Sequence, residues 1–482
     1  MSKVKRVLTA LLAASVAATM AVGATGCEKV DDASSAAGTG TASTDSTESG
    51  SGESTGDISG ELKLAVFQGG YGLDIWNQIA DEFEAEHPDV TVTVTGDTDI
   101  GNVLRPQIIN GDAPDFIYLA STNPSGLLQS LETDHLVMDL TDIFEEDGLK
   151  DKIIDGVLDG PTYQPYGDGK IYAAPLFFSV NGMWYDSNLF EKNSWEVPET
   201  WDDAFALADQ AKEQGIAMYT YAAANAPAYN ESVIWPMIAT IGGKDKLDAI
   251  FNYEEGAWND PAVTETLNLF QQMHDGGYLL EGTMGMTHTQ SQQQWLQDKA
   301  LFIPNGAWIQ NEMADSPRAD GFQFGVMAAP KTDASQQQAI WFQTEEMYIP
   351  TDAENPEAAK EFIKFLYTDD IVKEMAEATN ALPPLKNCLE LVDGLVDDAT
   401  YASAELGLSD DMVQVSGGFA NTSATDITIR SDFFQGVGSI LNGDMTVADL
   451  QAQMEQESQE LAQLVTAQQG LEEGASSEEA AE

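Results

Sequence analysis

Between residues 28 and 60 large apolar side chains are almost absent, and at residue 61 the pattern changes. Glu61-Leu62-Lys63-Leu64-Ala65-Val66-Phe67 alternates polar and apolar positions, which predicts a strand, and Gln68-Gly69-Gly70-Tyr71-Gly72 predicts the loop that leaves it. Ile75, Ile79 and Phe83 then recur at helical spacing over 74–87, and Pro88 ends that helix. A strand over 90–95, a helix over 100–109 and a strand over 115–119 follow. Strand, helix, strand, helix, strand is the order of a parallel sheet covered by helices. Ligands of such sheets lie outside the carboxyl ends of the strands, which places Gln68 to Tyr71 and Ala120 to Asn123 on one rim of a cleft.

The pattern from 186 to 306 is mainly helical: Thr200-Trp201-Asp202-Asp203 opens one helix with a capping residue and early acids, and 261–274 forms another. Strands return over 322–327 and 341–349. A long helix over 355–378 starts at Pro356, and a polar helix over 446–467 closes the body. The order implies a chain that leaves one lobe, builds a second and comes back. Two or more crossings between lobes make a hinge.

Both ends are of a different kind. Lys3, Lys5 and Arg6 precede an uncharged apolar run over 7–22 that is short for a bilayer span, as in a cleaved secretion leader. Ala24-Thr25-Gly26-Cys27 resembles a lipobox, although a bulkier aliphatic residue is usual where Ala24 stands. The resemblance implies a signal peptide over 1–26, a lipidated Cys27 and a flexible Ser/Thr/Gly-rich tether over 27–60, holding the body on the outer face of the cytoplasmic membrane. An acidic, disordered tail is expected over 468–482.

Charge narrows the choice of partner. With 80 acidic and 21 basic residues the net charge is −59, which repels nucleic acid and anionic headgroups. The sequence has neither a calcium loop of EF-hand spacing nor a phosphate-binding Gly-Lys-Ser/Thr loop, and its four histidines lack ligand spacing, so neither metal nor cofactor is expected. If Cys27 carries lipid, Cys388 has no disulfide partner.

Several motifs occur together and in order: Gly169-Lys170-Ile171-Tyr172-Ala173-Ala174-Pro175-Leu176, then Trp184-Tyr185-Asp186-Ser187-Asn188-Leu189-Phe190, then Val197-Pro198-Glu199-Thr200-Trp201-Asp202-Asp203. Further on come Lys299-Ala300-Leu301-Phe302 with Gly306-Ala307-Trp308, Asn355-Pro356-Glu357-Ala358-Ala359, and Leu441-Asn442-Gly443-Asp444. Over about 61–467 the chain resembles the extracellular solute-binding proteins of carbohydrate ABC transporters, with Asp186 and Asp203 where that family often has Asn and Glu. The stretch Trp341-Phe342-Gln343-Thr344-Glu345-Glu346-Met347-Tyr348-Ile349-Pro350 resembles the branch that binds N-acetylglucosamine and chitobiose. The resemblance implies an α/β, two-lobed fold of the type II periplasmic-binding-protein kind. Each lobe is a mainly parallel sheet flanked by helices, and the ligand cleft lies at the hinge. The first lobe would take 61–185 and 307–400, the second, helix-rich lobe 186–306 and 401–467. It further implies a monomer that hands its cargo to an ABC permease and its ATPase.

A sugar has a face of C–H groups and a belt of hydroxyls, so a site for it needs aromatic plates ringed by amides and carboxylates. Trp308 stands where the family commonly stacks a tryptophan. Tyr71, Trp235 and Trp341 are further plates, with core packing the alternative for the two tryptophans, whereas Trp184 and Trp201 read as structural. Gln68, Ser121, Asn123, Asn230, Asn305, Gln343 and Glu345 are the polar candidates. A non-sugar solute such as a peptide or polyamine remains an alternative cargo, while the three arginines beyond the leader, Arg105, Arg318 and Arg430, are few for a fixed anion. No catalytic set stands out against a surface glycosidase reading, because with 80 carboxylates a pair at working distance has no diagnostic value.

Overall fold

The computed structural model describes residues 58–479 apart from 70, 71, 124, 146, 147 and 421–426, with side chains described as far as 465. The leader, Cys27, most of the tether and Tyr71 lie outside these residues.

Nine strands are described: β1 (Gly60–Phe67), β2 (Val90–Asp97), β3 (Phe116–Tyr118), β4 (Ala174–Asp186), β5 (Ala217–Tyr219), β6 (Ala300–Asn305), β7 (Phe324–Met327), β8 (Gln338–Tyr348) and β9 (Met412–Val415). They join in the order β2-β1-β3-β8-β4-β6-β5, with β7 on β4 and β9 on β8. The alternation read over 61–119 gives parallel pairs of β1 with β2 and β3. The long strands β4 and β8, which carry the chain out of the first body and back, run antiparallel to each other and to β6 and β3 respectively. An outgoing and a returning strand meet head to tail, so antiparallel pairs are added to the parallel ones.

Helix Asp74–Glu86 buries Ile75, Trp76, Ile79, Ala80 and Phe83, and ends where the His87 N–H donates to Phe83 O just before Pro88. Helix Trp201–Glu213 starts in a full capping box between Thr200 and Asp203. The single helix predicted over 355–378 is two, Pro356–Leu366 and Asp369–Thr379. Thr368 is extended and its hydroxyl donates back to Phe365 O without capping the next helix, and Asp369 and Asp370 put acids in the first turn where the chain restarts. The closing helix runs Val447–Glu479, past the 467 boundary and through most of the tail expected to be disordered. Its Gln-, Glu- and Ala-rich sequence consists largely of strong helix formers.

Two large apolar cores lie on this frame. The first gathers Leu62 to Val180 with Ile340, Phe342 and residues up to Ala404; the second gathers Met183 to Phe302 with Ala339, Trp341 and residues up to Leu461. Along β8 successive side chains point to opposite faces, so Ile340 and Phe342 feed one core while Ala339 and Trp341 feed the other. A small third cluster packs Trp184, Trp295, Ile303, Ala307 and Ile309 together.

Candidate functional site

The crossing of β4 and β8 is where polar side chains enter an apolar sheet. The register pairs Asn181 with Trp341, Ser179 with Gln343 and Phe177 with Glu345, so these side chains share one face. Asn181 and Ser179 are buried, the Asn181 Nδ2 donates to Gln343 Oε1, and Tyr118 Oη donates to Glu345. Asn181 Oδ1 has no hydrogen-bond partner among the described residues.

Beside this stripe stands Trp308. Its neighbours Ala307 and Ile309 are buried in the small third cluster, which turns the half-buried indole the other way. The ring lies over Gly306: a Cβ there would come 2.3 Å from the indole and 2.6 Å from Asn181 Oδ1, so a larger residue at this position displaces those side chains. Tyr229 meets Trp308 edge-on at 6.3 Å and stacks on His288 at 4.7 Å. His288 Nε2 lies 2.8 Å from Glu312 Oε2, and Gln292 Nε2 donates to that oxygen at 2.8 Å. Burial and, secondarily, the Glu312 charge raise the pKa of the Tyr229 phenol, which keeps it neutral and able to donate.

On the side of the first core, the Ser121 N–H donates to Glu346 Oε2 at 2.5 Å, and Ser121 O accepts from Gln129 Nε2 at 2.5 Å. Asn123 Oδ1 accepts from the Ser125 N–H at 3.0 Å, so its side chain shapes its own turn. Gln68 is exposed at the end of β1, with its N–H on Asp97 O at 3.1 Å. Asn305 is buried and accepts the Gly306 N–H at 2.9 Å, holding the turn that leads to Trp308. Asn230 is buried, and its Oδ1 accepts from Tyr219 Oη at 2.8 Å.

Two candidate plates occupy other surroundings. Trp235 is 1% exposed inside the second core, stacked on Phe433 at 5.1 Å and ringed by Phe251, Trp258 and Phe434. Helix Glu231–Gly242 is apolar on nearly every side, so the whole helix is interior and Trp235 offers no face to a ligand. Trp341 is 2% exposed in the second core, opposite Val415 of β9 in the sheet. It packs there as a core residue, not as an open plate. Trp184 and Trp201 are also interior, consistent with their structural reading.

Asn181, Ser179, Tyr229, His288 and Glu312 are not among the residues singled out by sequence. Two polar residues inside the otherwise apolar run Leu176 to Trp184 were a visible signal for Asn181 and Ser179. Tyr229, His288 and Glu312 come from three separate segments, and no spacing rule joins them. Among the described residues no cluster of His, Cys, Asp or Glu could hold a metal ion, and no helix is long and apolar enough to cross a membrane.

Residues 69–373, more than half of the chain, match the family described as bacterial extracellular solute-binding protein. The chain belongs to that family. Among relatives of this solute-binding protein is the diacetylchitobiose-binding protein NgcE of Streptomyces coelicolor, 29% identical over 365 residues that cover 74% of this chain and 75% of the relative. Another is the melibiose/raffinose/stachyose-binding protein MelE of Bacillus subtilis, 23% identical over 382 residues, 76% of this chain and 85% of the relative. A solved chitin oligosaccharide-binding protein superposes with a TM-score of 0.66 at 20% identity, covering 84% of this chain and all of its own. The solute-binding protein therefore has the α/β, two-lobed fold that the motifs implied.

Proposed function

We propose that this solute-binding protein captures a neutral oligosaccharide of the diacetylchitobiose class between its lobes and delivers it, unaltered, to an ABC permease. The lobes would divide as 61–185 with 307–400 and 186–306 with 401–467, hinged on β4 and β8. Cargo that touches both lobes favours the closed form, which a permease can recognise. Lipid on Cys27 would keep the protein at the outer face of the cytoplasmic membrane.

One observation carries this reading: Trp308 is fixed by buried neighbours beside the polar stripe of Asn181, Gln343 and Glu345. An aromatic plate next to amides and a carboxylate matches the two-sided surface of a sugar. The resemblance of 341–350 and the relative that binds diacetylchitobiose support the choice of glycan. Ser121, Asn123, Gln68 and Tyr71 complete the proposed rim.

Calorimetric titration with N,N′-diacetylchitobiose, cellobiose and raffinose tests it. We expect saturable binding of the first, and about a ten- to hundredfold loss in Trp308→Ala, the equivalent of roughly 1 to 3 kcal/mol. Binding of none of these glycans, or a Trp308→Ala protein that titrates like the original, overturns the reading. Incubation with chito-oligosaccharides should yield no shorter products.

A further inference from the structure

We propose that Glu346 is a positioning residue, a proton-sensitive latch that sets the 120–123 loop for cargo through its bond to the Ser121 N–H. The inference rests on the cargo site proposed above, in which that loop forms part of the rim.

The geometry is that of a buried acceptor surrounded by donors. Glu346 is fully buried on β8; its Oε2 takes the Ser121 N–H at 2.5 Å, and its Oε1 takes Thr344 Oγ1 at 2.8 Å and Tyr163 Oη at 3.2 Å. A carboxylate can accept all three bonds. A neutral carboxyl must place a hydrogen of its own: the Thr344 and Tyr163 hydroxyls beside Oε1 can turn to accept it, whereas the Ser121 N–H beside Oε2 cannot, so a proton on Oε2 weakens the Ser121 bond. Gln129 holds Ser121 from the carbonyl side, and Arg105 ties the next turn by donating to Ser125 O and Ser130 Oγ. The N–H bond is thus the one anchor of Ser121 described here that responds to a proton.

The surroundings put that response near neutrality. Glu132, on helix Leu127–Thr133, is 7% exposed and its Oε1 has no hydrogen-bond partner among the described residues. Glu345 lies next along β8 and adds negative charge, with Tyr118 Oη donating to it. Tyr348, Tyr163 and Tyr166 pack around the two acids with their phenols held neutral by burial. Burial raises Glu346 from its ordinary 4.5 to about 7, opposed by the bonds from Ser121 and Thr344. Burial, with the Glu346 charge second, raises Glu132 to about 8. Between about pH 7 and 8 the pair carries about one proton, held mainly by Glu132, whose Oε1 has no donor among the described residues.

Binding and stability then respond to pH with opposite signs. Both carboxyls are raised in the folded chain, so their contribution to stability is full below about pH 4.5 and is lost as pH rises through about 7 and 8. The latch works the other way, engaging as Glu346 ionises. A purely structural role would move both readouts in one direction.

The test is the affinity of the purified chain for N,N′-diacetylchitobiose from pH 5.5 to 8.5. One pH unit below the midpoint, about a tenth of the molecules are latched, so we expect the dissociation constant to weaken about tenfold between pH 8 and pH 6. Glu346→Gln should bind weakly with no pH dependence. In Glu132→Gln the loss of melting temperature above pH 7, relative to the original chain, should shrink. A flat affinity profile, or a Glu346→Gln protein with the original profile, overturns the latch. Amide exchange at Ser121, corrected for intrinsic rate and measured without glycan, gives a second readout if that variant does not fold. Protection that drops at pH 6 supports the latch, and unchanged protection refutes it. Failure of every glycan to bind would overturn the cargo reading alone, leaving Ser121 exchange to decide the latch.

Discussion

Adding one methyl group at Gly306 puts the proposed plate to a severe test. The new Cβ would lie 2.3 and 2.4 Å from two carbons of the Trp308 ring and 2.6 Å from Asn181 Oδ1, where carbon atoms need about 3.5 to 4.0 Å. Something has to move by more than about 1 Å. The backbone on either side is pinned, because Ala307 and Ile309 are buried with Trp184 and Trp295, and Asn305 is tied to Trp184 Nε1 at 2.9 Å. The half-exposed indole is the free partner, so it swings off its seat. Overpacking of this kind should cost about 1 kcal/mol of stability, because the ring can yield toward solvent. Loss of the seated plate should cost roughly 1 to 3 kcal/mol of glycan binding, about ten- to hundredfold. Titration calorimetry and thermal melting of Gly306→Ala, Trp308→Ala and the double variant read both quantities. The double variant should bind no more weakly than Trp308→Ala, since the two changes remove one interaction. If Gly306→Ala binds as well as the original chain, the seat over Gly306 is not what holds the sugar.

Three further outcomes follow from packing. Trp235→Ala should lose about 3 to 5 kcal/mol of stability in denaturant unfolding, because it empties the centre of the second core. Thr200→Ala breaks the capping box at helix Trp201–Glu213 and should lower unfolding free energy by about 1 kcal/mol, with glycan affinity intact. Cys388 is fully buried and burial pushes its thiol up to about 12, so it should ignore a disulfide reagent at pH 8 until the chain is unfolded. Rapid labelling of Cys388 itself in the native chain would contradict that placement.

Local rules read the edges of this fold well and its centre poorly. The strand and helix order over 61–119, the stop at Pro88 and the cap at Thr200 each depend on a few adjacent residues, and each was legible. The restart at Thr368-Asp369-Asp370 carries the same residue types, though without a side-chain capping bond, and sustained amphipathicity on both sides hid it. Trp235 was undecidable because a helix apolar on all sides has no face to point outward. Glu345 and Glu346 are identical in kind and adjacent, and only the phase of β8 sends one to the proposed hinge face and the other under the Ser121 loop. Asn181 acquires its meaning from Gln343, 162 positions away. Contacts of that span are set by tertiary assembly, which no local window contains.

The strand order has a consequence for how the molecule comes into being. In the sheet β3 has β1 on one side and β8 on the other, so a chain emerging amino end first exposes that flank until residue 347 has followed. The first core likewise waits for Phe362, Ile363 and Leu385 to cover it. The first core is filled only once Ala404 has followed, and the second waits for Leu461. A polypeptide threaded through a narrow pore would stay pliable until most of it had passed, and the two halves would then set late, the first before the second.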